Sequence, residues 1–370
     1  MKKILILLKH LSLGGAEKMF LRLLKNTNTS IYNIHIMLVF NEKLQELPKF
    51  PNMKISNIFK EKNDAVKSLI RDNPHKIYAE NITETYDVEI AFLEGYPTQI
   101  IGASSNPNSL KIAFIHTDFR FFHHSLNAYI DSNAEVTCYQ KYTSLIYVSE
   151  TARNGFHTVY PSFVCKKEYI YYPPLTDKML FSSPTQITKP AEKPYFITLT
   201  RLAPEKGVFK LISACKKIIE SGFDVCFKIF GIGPLYNDLL QKIKSEHLEK
   251  YIYLMGYSPE PYQDLKNSLA YICPSDNESF CVAIEEALIL SVPVIACRCP
   301  GTEEILHNGD FGMLVGNDSV CLFDGISQFL TNPDLPVILA SKSLIGKEYW
   351  QRILKYNNPS DPFYHTRGSK

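Results

Sequence analysis

Two carboxylates stand eight positions apart in the run PSDNESFCVAIEEALILSVPVIA, at Glu278 and Glu286, with Glu285 beside the second. The apolar segment LAYICPS precedes them and VPVIA follows, which puts the pair at a strand-to-helix turn, where α/β sheets place ligand chemistry. A carboxylate there can hold both hydroxyls of a ribose, or the hydroxyls of a sugar. It can equally be a helix-start charge meeting the macrodipole. On an ideal helix of ~3.6 residues per turn Glu285 aligns better with Glu278 than Glu286 does. Because Glu278 falls before the helix, periodicity does not choose between the two. Arg201 and Lys206 occur in TLTRLAPEKGV, after another apolar segment. Arginine offers a bidentate fork for a diphosphate and lysine a compact charge. The plainer reading is a surface pair neutralised by Glu205, and a lysine in a solvated cleft would support little of the fold.

Three further features could contact a ligand. Gly14 and Gly15 lie between an apolar segment and a helical pattern. Glycine permits close backbone approach, and helix amides attract phosphate. The loop lacks the GxGxxG spacing, so no nicotinamide cofactor is expected. Gly231 and Gly233, in FGIGPL, read first as a strand–turn–helix connection with Pro234 opening the helix. His116 ends KIAFIH, where an imidazole can bond a hydroxyl or stabilise charge, although a lone histidine is more often structural. His123 and His124 sit in the aromatic patch FRFFHHSL, which reads equally as core, lid or acceptor surface.

The elements that must position these groups alternate. Ile4–Leu8, NIHIMLVF, VEIAFLE, LKIAFIH and SLIYVSE read as strands, with helical spacing in AEKMFLRLLKN between the first two. SSPTQITKPAEKP has three prolines and no apolar pattern, and reads as a linker. A second series follows: strand YFITLT, helix VFKLISACKKII, strand DVCFKIFG, helix LYNDLLQKIKSE, strands YIYLMG, LAYICPS and VPVIAC, and closing turn residues in FGMLVGND. The fold class is therefore α/β, with two doubly wound domains facing a cleft, over residues 1–185 and 190–349. Apolar spacing at Tyr349, Trp350, Ile353 and Leu354 predicts a last helix over about 350–365 that packs back on the first domain. There is no internal sequence repeat.

Composition narrows the class. In 370 residues, 40 basic and 38 acidic side chains leave a net charge of +2, so nothing demands nucleic acid. At 45% hydrophobic the chain can bury two cores. A small basic excess in the first half is compatible with an anionic membrane surface. The nine cysteines form no CxxC pair, and Cys297 and Cys299 have no second pair to complete a zinc site. They suit a reducing cytosol, and no apolar run reaches the ~20 residues needed to span a bilayer.

Taken together, these motifs resemble the retaining glycosyltransferases of family 4, which have the GT-B fold of two Rossmann-like domains around a cleft. The resemblance runs from Leu11 to about Leu354. It rests on GGAEKM, TRLAPEKGV, FGIGPLYNDL, YIYLMGYSPE, ESFCVAIEEAL and CPGTEEILHNGDFGMLV, and is strongest to members that build bacterial capsule or other surface polysaccharide. It implies transfer of a sugar from a nucleotide diphosphate, expected to be a UDP-sugar, to a glycan or lipid-linked glycan. Within its E-x7-E element it favours Glu286 over Glu285. Arg201 and Lys206 would neutralise the diphosphate, with help from the amides near Gly14 and Gly15. Glu286 would bind the ribose, Glu278 and the backbone at Phe280, Cys281 and Val282 the donor sugar, and His116 the region of the reacting carbon. Met255 and Tyr257 lie where the family binds the base. No cofactor or metal is implied, and no Asp-x-Asp pair occurs. A cytoplasmic protein, at most peripheral on the inner membrane face, would follow. Ser279, Cys281 and Ser291 stand where the family commonly has glycine. The competing readings are a catalytically silent subunit of this fold that scaffolds an active partner, and an epimerase or phosphorylase. Intact Arg201, Lys206, Glu278 and Glu286 argue against the first, and the glycine loop and E-x7-E element fit transfer better than the second.

Overall fold

The computed structural model describes residues 1–26, 31–42, 47–165, 167–171, 175, 193–332 and 334–342. The chain divides into two compact units between Pro174 and Leu175. Nearly all of the linker read at 182–194 and the whole helix read at about 350–365 lie outside the described residues.

The first unit is built from β1 (Lys2–Leu8), α1 (Gly15–Asn26), β2 (Tyr32–Phe40), β3 (Met53–Phe59), α2 (Asp64–Asp72), α3 (Pro74–Asn81), β4 (Val88–Ala91), α4 (Tyr96–Gly102), β5 (Leu110–Ile115), α5 (Ser132–Tyr139), β6 (Ser144–Tyr147), α6 (Glu150–Val159) and β7 (Glu168–Ile170). Among the described residues its seven strands run in the order β3-β2-β1-β4-β5-β6-β7, and every pair is parallel. Helices cover both faces of such a sheet, which is why the central strands are apolar throughout rather than alternating. Ile4, Ile6 and Leu8 of β1 pack with Phe20 of α1 and with Ile36, Ile90 and Phe114 in one core.

The second unit repeats the plan with β8 (Tyr195–Leu199), α7 (Val208–Glu220), β9 (Cys226–Phe230), α8 (Tyr236–Ser245), β10 (Ile252–Gly256), α9 (Tyr262–Lys266), β11 (Tyr271–Cys273), α10 (Val282–Ile289), β12 (Val294–Cys297), α11 (Pro300–Ile305), β13 (Met313–Val315) and α12 (Ser319–Thr331). Its order is β10-β9-β8-β11-β12-β13, again all parallel. The two units share one winding without sharing sequence, because winding depends on apolar periodicity and connection handedness rather than on residue identity.

Three strands depart from the sequence reading. Residues 313–315, read as turn, form the edge strand β13. β3 went unread because MKISNIF mixes Lys54, Ser56 and Asn57 into a half-exposed strand beside β2. β7 is only three residues, too short to show a period. Helix starts follow simple chemistry: Asn63, Asp131, Ser149 and Asp318 each accept a backbone N–H from the first turn that follows.

Candidate active site

In each sheet the winding reverses between the first strand and its fourth, at β1/β4 and at β8/β11. Crevices form there at the carboxyl ends of the strands, because neighbouring connections leave in opposite directions. Gly14 and Gly15 follow β1, Arg201 and Lys206 follow β8 and Glu278 follows β11, whereas His116 follows β5 and Met255 and Tyr257 lie at the edge strand β10.

In the second unit, β8 and β11 are tied by Thr198, whose Oγ1 donates to the Ile272 carbonyl at 2.9 Å. The chain leaving β8 runs through Arg201 into a short 3-10 turn, Pro204–Lys206, that ends at Gly207 with φ 63°. A Cβ on Gly207 would lie 2.0 Å from the Pro274 carbonyl oxygen, so glycine alone fits between the β8 and β11 loops. This contact delivers Lys206 to Glu278. Lys206 Nζ donates to Glu278 Oε1 at 2.7 Å, and Ser275 Oγ donates to the same oxygen at 2.7 Å. The two side chains are only 20% and 12% exposed. Burial works against the Lys206 ammonium, but the adjacent Glu278 carboxylate outweighs it and raises the lysine above its ordinary value. The Glu278 backbone is held in turn: its carbonyl accepts the Gly301 N–H at 3.0 Å, at an approach that a Cβ on Gly301 would block at 2.3 Å.

Arg201 does not join this pair. Its guanidinium is 64% exposed and bonds Glu205, so the plainer reading of a neutralised surface charge holds for Arg201 and not for Lys206. Gly231, at φ 143°, and Gly233 lie so close to the backbone of Thr200 and Leu202 that a side chain at either would collide with it. Those glycines set the path of the Arg201 loop.

Glu286 and Glu285 are both fully buried on α10. Glu286 Oε1 accepts from the Tyr262 hydroxyl at 3.2 Å. Phe280, Cys281 and Val282 are buried at the helix start, where no side chain caps the first turn. Met255 and Tyr257 are exposed at the end of β10.

In the first unit, the loop after β1 brings Gly14 against Glu17, which lies in the first turn of α1. A Cβ on Gly14 would lie 2.3 Å from Glu17 Oε2. Glu17 accepts from Ser12 Oγ at 2.8 Å and lies 3.3 Å from His10 Nδ1. Burial opposes its ionisation, but the bonds from His10, Ser12 and its own amide prevail and hold the carboxyl below the ordinary value. An anion therefore already sits at this helix start. His116, at the end of β5, is partly exposed and packed on Phe92 and Phe114. Its Nε2 lies 2.7 Å from the Phe92 carbonyl. A carbonyl only accepts, so Nε2 carries the proton and Nδ1 is the ring's acceptor. Desolvation lowers the His116 value, and Glu94, which accepts the His116 amide at 3.3 Å and the Thr117 hydroxyl at 2.5 Å, opposes that.

The aromatic patch divides. His123 stacks on buried Phe119 and bonds Glu135, itself fully buried, at 2.7 Å, which makes that half core. Phe121 is exposed. Glu17, Glu94, Ser275 and Tyr262 were missed by sequence reasoning. Each is an ordinary polar residue in sequence; Ser275 lies three positions before Glu278, while only the fold sets Glu94 beside His116 and Tyr262 beside Glu286. Glu17 alone had a signal, as an acid three positions after the first loop glycine.

A family model described as glycosyl transferases group 1 matches residues 182–343. A putative colanic acid biosynthesis glycosyltransferase, WcaL of Escherichia coli, is 27% identical over 202 residues, 51% of this chain and 50% of that protein. A poly(ribitol-phosphate) alpha-N-acetylglucosaminyltransferase of Staphylococcus aureus is 25% identical over 162 residues, 42% of this chain and 33% of that one. The matches thus span half or less of these relatives' length. The crystal structure of Anabaena HepE in complex with UDP superposes with a TM-score of 0.75 at 19% identity, covering 95% of this chain and 98% of that one. The chain has the GT-B fold of two Rossmann-like domains, and its residues 182–343 are similar to the group 1 glycosyl transferases.

Proposed function

We infer that the protein transfers a sugar from a nucleoside diphosphate, a UDP-sugar, to a glycan or lipid-linked glycan during synthesis of a surface polysaccharide, with retention of configuration. The observation that carries this reading is the Lys206–Glu278 pair, 2.7 Å apart at the β8/β11 switch point within the group 1 segment. The colanic acid and poly(ribitol-phosphate) relatives support the polysaccharide context, and the UDP in the Anabaena complex supports the nucleotide.

The chemistry is charge stabilisation and positioning. Lys206 releases Glu278 to the donor sugar and turns its ammonium to the departing diphosphate. Arg201 exchanges Glu205 for the same phosphates, an inexpensive exchange at an exposed side chain. The amides that begin α10 add donors, and Glu286, oriented by Tyr262, binds the ribose. His116 offers the Nδ1 lone pair to a sugar hydroxyl. The leaving phosphate takes the acceptor's proton on the face from which it departs. Transfer by these groups needs no metal.

Nucleotide sugars screened by thermal shift test the reading. A cognate donor raises the melting temperature in a concentration-dependent way, and release of UDP by slow hydrolysis identifies the reaction. If no nucleotide or nucleotide sugar stabilises the protein, the reading fails and a silent scaffold of the same fold replaces it.

A further inference from the structure

Seven of the nine cysteines are buried, and none is joined in a disulfide. Two of the seven flank the carboxylate of the candidate site. Cys273 ends β11, and Cys281 immediately precedes α10. Their sulfurs are 3.9 Å apart, and a Glu278 oxygen lies within 4.8 Å of both. We propose that Cys273, Cys281 and Glu278 form a binding site for a borderline-soft divalent cation, zinc in the first instance, and that occupation of this site switches the donor site off.

The geometry suits a bound cation without movement of the sulfurs. Two thiolates on one tetrahedral zinc, with bonds near 2.3 Å, stand about 3.8 Å apart. The observed sulfur separation already matches, whereas a disulfide would require the sulfurs to close to about 2.05 Å. The carboxylate needs only rotation about its own side-chain bonds. Glu278 Oε1 is engaged by Lys206 and Ser275, which leaves the second oxygen to turn toward the sulfurs. Charge is conserved as well. Two thiol protons leave as one divalent cation enters, so Lys206 and Glu278 remain balanced. Both thiols are at most 5% exposed, which gives the dry surroundings that favour sulfur ligation, while the partly exposed Lys206–Glu278 pair supplies the path of entry.

The consequence for transfer rests on the function inferred above; the site itself does not. A metal held by Glu278 withdraws that carboxylate from the donor sugar. Through Cys281 it also fixes the turn at Phe280–Val282 whose amides the donor needs.

The test uses the full chain, kept reduced with a phosphine and titrated with cobalt(II). The expected result is one equivalent bound, with a thiolate-to-cobalt charge-transfer band, two protons released per metal, and loss of the band on adding zinc. Cys165→Ser, in the first unit, keeps the band. Cys273→Ser and Cys281→Ser, each checked for folding by circular dichroism, lose it and bind zinc more than about 100-fold less tightly, beyond the cost of losing an outer partner of a ligand. Zinc lowers UDP affinity in the parent and leaves Cys273→Ser unaffected. A parent protein with no charge-transfer band overturns the site, whatever the variants do. So does a band that survives in both serine variants. Should the protein respond to no nucleotide, the cobalt spectrum still decides the site, and only the inhibitory consequence falls with the transferase reading.

Discussion

At the scale of single residues, the Lys206–Glu278 pair differs from what a solvated lysine would be. The sequence reading gave that lysine little structural weight, but the pair is mostly buried and shares an oxygen with Ser275. Lys206→Ala is therefore expected to cost stability as well as turnover: about 1–3 kcal/mol, less than the ~3–5 of a fully buried pair because both side chains still reach water. In kcat the loss should be about 10²–10³-fold, as for removal of one preorganised donor to a developing anion. A double-mutant cycle with Glu278→Gln checks the coupling, and strictly additive stabilities would mean the two groups do not act together. Glu286→Gln should weaken UDP about 10- to 100-fold, as loss of a charged hydrogen-bond acceptor does; equal affinity in calorimetry would remove the ribose assignment. His116 gives a pH signature. Its value is depressed, so the folded ring stays neutral where the unfolded ring, near pH ~6.5, takes up a proton. Its contribution to stability is then present above that pH and lost as pH falls below it. In NMR its ring proton should titrate below the ordinary imidazole midpoint, and a midpoint at or above that value would contradict the desolvated site.

At the scale of elements, α10 ends in a way that costs the protein. The Val292 N–H reaches the Ala287 carbonyl and the Ser291 N–H the Leu288 carbonyl, each at 2.9 Å, which closes the helix in a Schellman turn. Ser291 occupies the left-handed position of that turn, at φ 59°, where glycine carries no penalty. Left-handed backbone costs an L-residue roughly 1–2 kcal/mol, and glycine returns part of the difference as unfolded-chain entropy. Ser291→Gly should thus stabilise the protein by about 0.5–1 kcal/mol, read as a higher denaturant midpoint at unchanged slope. A lower midpoint would show that the serine side chain contributes more than its backbone conformation costs. Gly231→Ala should do the reverse, because its Cβ would lie 1.7 Å from the Thr200 carbonyl oxygen and would push away the loop that carries Arg201.

At the scale of the whole molecule, two units wound alike place the Gly14 loop and the Arg201–Lys206 loop at equivalent positions, after the first strand of each sheet. The second unit contains the group 1 segment and the buried ion pair, so nucleotide should be felt there first. UDP is expected to slow amide hydrogen exchange at residues 200–207 and 275–286, and to leave α5 and α6 of the first unit unchanged. Protection confined to the first unit would reassign the nucleotide site. Among the described residues no helix is long and apolar enough to cross a membrane.

The sequence alone determined the class of fold, most of the strands, and the loops that bear Gly14, His116, Lys206 and Glu278. Apolar runs buried on both faces and glycines at strand ends are local signals, readable without knowing what packs against them. It left open whether Arg201 and Lys206 meet a diphosphate or form a surface pair neutralised by Glu205, and it missed Glu17, Glu94, Ser275 and Tyr262. Ser275 and Glu17 make short-range contacts that their types alone did not flag, but the other outcomes depend on contacts across many positions: Glu94 meets His116, Tyr262 meets Glu286, and Lys206 meets Glu278 only because Gly207 passes the Pro274 carbonyl. Periodicity records how each segment faces its own neighbours, and only the folded chain decides which segments become neighbours.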